Sequence, residues 1–267
     1  MRFEDFAAAH GLILRGVEYG KWIRVPTEDH PRKRNGAYKH IGEVAWVQNH
    51  ATMSEPVTWF PESQATVDRD AMRRMREKAA ADAAQGRAKA ARKAAWILSQ
   101  CEYQKHAYLD SKGFPEETGL VWTKDGAPLL AIPMRHGRDL AGVQLIDING
   151  SKRFLSGQRC GGVEYVIDAK GTDVWCEGYA TGLSIRQCLS AMKIRYKIHI
   201  CFSAGNLATM ATGGIVIADN DASGTGEAAA KQTGLPYFMP PIGDFNDYHR
   251  ELGTFRAGLA LKRFFMR

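Results

Sequence analysis

Over the last third of the chain, short apolar runs of strand length alternate with stretches whose apolar residues recur at helical spacing. TDVWC, YKIHICFSA, GGIVIAD and LPYFMP read as strands, and TGLSIRQCLSAM, GNLATMA and GTGEAAAKQTG as the helices between them. This βαβα order predicts an α/β domain over residues 172–267: a mainly parallel sheet flanked by helices, with ligands seated beyond the carboxyl ends of its strands. The closing segment TFRAGLALKRFF predicts a terminal helix with one apolar stripe. Immediately upstream, LLAIPMR, LAGVQLIDI and KRFL predict strands joined by glycine-containing turns, which makes residues 111–171 a separate α+β lobe. No internal repeat is apparent.

The pattern differs again nearer the start. From Asp68 to about Ala107 the residues are mostly strong helix formers, interrupted only by Gly86, which predicts a helical connector over 65–110. Between Asp68 and Lys93 nine basic residues, Arg73 and Arg74 among them, face four acidic ones, a net +5. Such a helix suits contact with a phosphate backbone, and an exposed tether between domains accounts for the same charges. Residues 1–64 mix MRFEDFAAAHGLIL, the strand-like KWIRVP and IGEVAWVQNH with turns at TEDHPRKRNG and SEPVTWFPES, which predicts a small α+β module. Within it Trp22, Trp46 and Trp59 are interleaved with Lys21, Arg24, Arg32, Lys33, Arg34 and Lys39. This set suits stacking bases and holding phosphates, and equally suits core aromatics beside a charged loop.

Composition narrows the setting. The 267 residues are enough for two ordinary domains, and 45% hydrophobic with 24% charged residues is the balance of a folded protein. A formal charge of +7 is compatible with a polyanionic partner without identifying one. No apolar run is long enough to span a bilayer, and Met1 to His10 carries Glu4 and Asp5 instead of a basic stretch before an apolar signal core, so a cytoplasmic protein without membrane contact is expected. The five cysteines are scattered and contain no CxxC pair, which predicts free thiols and no structural zinc. His10, His30, His40 and His50 lack the local spacing of a metal site.

Candidate chemistry comes from acidic residues at predicted strand ends. Glu177 follows the run ending in Cys176, and Asp219 and Asp221 follow Ile215–Ala218. In a parallel sheet these positions share one edge, and extended residues two apart point to the same side, so three carboxylates converge and repel unless a cation intervenes. Mg²⁺ or Mn²⁺, which take hard oxygen ligands, fit that need. Asp244 and Asp247 in GDFNDYH extend the cluster or hold its water shell, although Asp247 also suits a helix cap. Neither GxGxxG nor GxxxxGK[ST] occurs, which disfavours nucleotide binding through those loops.

VWCEGYATGLSI, GGIVIADNDASGTGEAAA and GDFNDYH resemble the catalytic Toprim domain of bacterial-type primases, particularly the phage and plasmid group. The preceding LLAIPMRHGRDLAGVQLIDINGSKRFLSG resembles the basic lobe before Toprim in such primases, and HAYLDSKGF resembles the opening of the phage-primase core. The likeness spans roughly residues 106–250. It implies a Toprim-type sheet in which Glu177, Asp219 and Asp221 are catalytic and metal-binding, Lys152 and Arg153 neutralise phosphate charge, and Arg135 contacts nucleic acid. The upstream KWIRVP region resembles an amino-terminal module sometimes attached to phage primases, without the paired cysteines of the usual zinc domain. EGYATG places Ala180 and Thr181 where some primases carry a further acidic residue.

The resemblance implies a DNA primase that copies single-stranded template into short RNA, using ribonucleoside triphosphates as substrates. With no Walker A sequence and no length left for a helicase domain, unwinding would fall to a separate replicative helicase. A Toprim nuclease and a noncatalytic DNA-binding or replication-assembly protein are the rival expectations.

Overall fold

The computed structural model describes residues 1–53, 55–61 and 69–265. The expected module boundary at 64/65 and the helix start at Asp68 lie outside the described residues. Two compact units emerge, Met1–Gln85 and Gly86–Arg267.

In the first unit α1 (Phe3–Ala9) precedes a sheet of β1 (Trp22–Val25), β2 (Gly36–Ile41), β3 (Val44–Asn49) and β4 (Val57–Trp59), in that order and antiparallel throughout. One face of this sheet supplies Val25, Tyr38, Ala45 and Val47 to a core closed by Phe3, Ala7 and Leu12. The strands are short, and their connections of ten, two and seven residues are too short for the crossover of a dozen or more that parallel neighbours need.

The helix α2 (Arg69–Ser99) stops eight residues before the expected Ala107. Glu102–Lys105 forms strand β5 instead, and α3 (Ala107–Ser111) follows. All four residues of β5 are exposed, so no apolar alternation marked it; its ladder to β6 (Thr118–Lys124) makes it a strand. Along the C-terminal part of α2, Ala90, Ala94 and Ile97 are buried at i, i+4, i+7 spacing, and Ala94 and Ile97 pack on Ala131, Val143 and Leu145.

The second unit contains two sheets. One is β5, β6, β7 (Ala127–His136), β8 (Asp139–Ile146) and β9 (Lys152–Phe154), antiparallel in that order. Its β6–β7 hairpin turns at Asp125 and Gly126, both at positive φ, as a two-residue Asp-Gly turn requires. The other has the order β10 (Tyr165–Asp168), β12 (Tyr196–Ile200), β11 (Thr172–Cys176), β13 (Ile215–Ile217), β14 (Tyr237–Phe238). Strands β11 to β14 pair in parallel, joined through α4 (Tyr179–Ala191), α5 (Ala204–Met210) and α6 (Thr225–Thr233), while β10 runs antiparallel to β12.

The expected α/β, Toprim-type mainly parallel sheet is therefore corrected. Two of the three sheets are wholly antiparallel and the third is mixed, so antiparallel pairing predominates. The physical reason is connection length: hairpin loops return a chain antiparallel, and β10 enters with no helical crossover before it. Both sheets of this unit feed one core, where Val121, Leu130, Ile132 and Ile146 meet Val174, Leu183, Ile198 and Ile200. The last helix, α7 (Phe245–Phe265), is interrupted by non-helical Gly253, so its second half begins where the apolar stripe predicted a terminal helix.

Candidate active site

Glu177 occupies the two-residue link between β11 and α4, and its carbonyl accepts the Phe202 N–H at 2.9 Å. Asp219 lies two residues past β13 between two anchored neighbours. Ala218 donates its N–H to the Phe238 carbonyl at 2.9 Å and Asn220 to that of Gly243 at 2.9 Å. The Asn220 side chain also donates to the carbonyls of Pro240 and Pro241, 3.0 and 2.8 Å away. Helix α6 closes on this segment from the other side: a Cβ on Gly226 would stand 2.3 Å from the Asp219 carbonyl oxygen. Only glycine permits that approach.

The Asp219 carboxyl is pushed up to about 7, first by burial and then by the negative charges of Asp244 and Glu177, against the opposing pull of Lys152. Its Oδ1 is buried without a hydrogen-bond partner. Burial also raises Glu177, with Lys152 pulling the other way and Asp221 adding repulsion. Asp221 belongs to the same electrostatic group but is exposed. Its carboxylate accepts the Ser223 hydroxyl at 2.6 Å and the Ser223 N–H at 2.9 Å, which holds it below the usual carboxylate range. Asp244 caps α7, its Oδ1 accepting the Asp247 N–H at 2.8 Å. It lines a cavity of about 350 Å³ together with Lys112, Lys152, Tyr108, Asn149 and Thr181. Lys112 and Tyr108 carried no chemical signal of their own in the sequence, only a place in HAYLDSKGF.

Among the residues expected at this site, Glu177, Asp219, Asp221, Asp244 and Lys152 influence one another electrostatically. Arg153 is turned away: adjacent residues of β9 face opposite sides, and Arg153 pairs with Leu145, which packs on α2. Asp247 is exposed in the first turn of α7. Arg135 is exposed near the β7–β8 hairpin and donates to the Arg138 carbonyl at 3.0 Å. On α2, Arg73 pairs with Glu77 at 3.9 Å and Arg74 is exposed.

In the first unit Arg24, Arg32, Lys33 and Arg34 line a cavity of about 550 Å³ with Arg15 and Tyr38. Lys21 faces Glu18 at 3.4 Å. Trp22 is exposed, whereas Trp59 packs on Phe3 at 5.7 Å in the core.

The donor chemistry suits a hard cation: an orphaned buried carboxylate oxygen among further carboxylates. Among the described residues, however, no three His, Cys, Asp or Glu side chains form a group able to hold a metal ion.

No family model matches the chain, and no curated protein matches it. Among solved structures it is similar, at 12% identity and a TM-score of 0.42, to one chain of a complex in which bacteriophage T7 lagging-strand DNA polymerase interacts with primase domains of two gp4 subunits bound to an RNA/DNA hybrid and dTTP. The likeness covers 62% of this chain and 92% of that one. No helix among the described residues is long and apolar enough to cross a membrane.

Proposed function

We propose that the chain is a DNA primase, carrying out metal-dependent nucleotidyl transfer from ribonucleoside triphosphates on a single-stranded DNA template in the cytoplasm of a bacterial or phage-infected cell. One observation carries this reading: Asp219, raised to about 7, keeps a buried, unpartnered oxygen among Glu177, Asp221 and Asp244 with Lys152 beside them. Such an arrangement costs stability unless a cation or a proton compensates it, and perturbed groups of this kind concentrate at functional sites. The motif resemblance to Toprim primases selects three of these four, Glu177, Asp219 and Asp221.

Asp219 and Glu177 would hold Mg²⁺ or Mn²⁺, with Asp221 and Asp244 in reach of its water shell; Mg²⁺ sites commonly use one or two carboxylates and take their other ligands from water and phosphate. Bound there, the cation would neutralise phosphate oxygens of an incoming nucleotide. Glu177 orients the attacking 3′-hydroxyl, and Lys152, with Lys112 in the lining of the same cavity, takes up charge on the phosphates. The 3′-hydroxyl gives up its proton to solvent as its oxygen bonds to the α-phosphorus, and the bond from that phosphorus to the leaving pyrophosphate breaks. A separate helicase would supply unwinding.

A second reading, a noncatalytic DNA-binding or replication-assembly protein, is favoured by one specific observation, and the carboxylates as they stand support it better. No three of the described side chains form a group able to hold a metal. De novo synthesis on mixed-sequence single-stranded DNA, with four ribonucleotides and Mg²⁺ or Mn²⁺, separates the readings. The primase reading expects new RNA that disappears in Asp219→Asn and Glu177→Gln variants. Replication activity unchanged by those substitutions overturns it in favour of assembly, and shortening of supplied DNA overturns it in favour of a nuclease.

A further inference from the structure

We infer that the Met1–Gln85 unit binds single-stranded nucleic acid on the sheet face turned away from α1. The inference concerns a site separate from the carboxylates and does not depend on their chemistry. Strand register carries it. Trp22 pairs with Lys39, Lys39 with Trp46, and Trp46 with Thr58, so these side chains form one row across β1, β2, β3 and β4. Residues directly opposite in a sheet share a face, and alternate residues along a strand share it too, which adds Arg24 and Gln48.

The opposite face carries Val25, Tyr38, Ala45, Val47 and Trp59, the side occupied by the core with Phe3 and Ala7. The row of Trp22, Lys39 and Trp46 therefore has no part in that core. Trp22 is 46% exposed, Arg24 is exposed, and Lys39, Trp46 and Gln48 are half-buried. None of the four strands contains an acidic residue.

The face thus presents two indole rings about 10 Å apart, two strand spacings, with an ammonium between them and a guanidinium beside them. Flat π-faces stack on unpaired bases of any sequence, while cations follow the phosphates. Duplex nucleic acid offers phosphates but no free base faces, and an acidic protein would use the cations and leave the indoles idle. A single strand uses both.

The test measures fluorescence anisotropy of labelled oligo-dT and oligo-U with the full chain, without triphosphates and in the presence of a chelator. Trp22→Ala is expected to weaken binding of single strands roughly tenfold, with Trp22→Phe retaining most of it. Lys39→Ala is expected to lower the salt dependence by about one unit. Circular dichroism checks that each variant is folded. If folded Trp22→Ala binds as the unaltered protein does, or if a duplex of equal length binds as tightly, or if neither oligonucleotide binds, the inference is overturned. Intact binding in a protein that makes no RNA would remove the proposed chemistry and leave this site standing.

Discussion

Asp219 should cost the protein stability at neutral pH, and the cost can be worked out. Its carboxyl lies at about 7 in the fold against an ordinary 3.8. A group raised on folding binds its proton more tightly in the native state, so it adds no penalty below the unfolded value and a full one above the folded value. Each unit is worth about 1.4 kcal/mol, so the full penalty is on the order of 4 kcal/mol. About half accrues between pH 5.5 and pH 8, or about 2 kcal/mol. Asp219→Asn keeps the shape and removes the titration. Its stability relative to the unaltered protein should rise by that amount over this interval, a gain of roughly 4–8 °C in Tm for a unit of this size. Thermal and urea unfolding of both proteins at the two pH values measure it. Added Mg²⁺ at pH 8 should stabilise the unaltered protein and leave Asp219→Asn nearly unmoved. A stability difference that stays flat between the two pH values would refute the reasoning, because the carboxylate would then be no more strained than one in water.

Three other outcomes follow from particular contacts. Gly226→Ala should destabilise by about 1–3 kcal/mol and shift the Asp219 segment, since the added methyl meets a backbone oxygen 2.3 Å away; unaltered urea unfolding would count against that packing. His199, nearly buried and stacked on Trp175, lies 2.6 Å from Glu164 and 2.9 Å from Asp173, with Lys197 near Asp173 at 3.9 Å. Burial opposes its charge, but both hydrogen bonds and both carboxylates outweigh burial and raise its pKa. Its contribution should be full below 6.5, fade as pH rises through the folded value, and shrink in Glu164→Gln; parallel stability–pH curves for the two proteins would rule this out. Arg186 on α4 donates both Nη atoms to Glu117, at 3.0 and 2.5 Å, so Glu117→Ala should lower stability by about 1–3 kcal/mol, read as a fall in Tm.

Much of the second unit could be read residue by residue. The apolar runs around Val174, Ile198 and Val216 became β11, β12 and β13, and the amphipathic stretches after Glu177 and Gly224 became α4 and α6. Glu177 and Asp219 stood out because each follows such a run. Other features left no local mark. β5 has four exposed residues and no alternation, and β10 reverses direction only through its ladder with β12. Arg153 and Lys152 look alike in sequence, yet strand alternation sends one toward α2 and leaves the other beside the carboxylates. Trp22, Trp46 and Trp59 were indistinguishable until register put Trp59 in the core and the other two on the opposite face.

The amino-acid order determined most of the helices and strands, because that preference depends on side chains within a few residues of one another; β5, which lacks such a pattern, is a strand through its ladder to β6. It also determined which carboxylates stand at strand ends. Only the tertiary structure decided strand direction, the face each side chain occupies, and the burial that lifts Asp219. Those depend on groups distant in the chain, whose desolvation and mutual charge arise only once they are brought together.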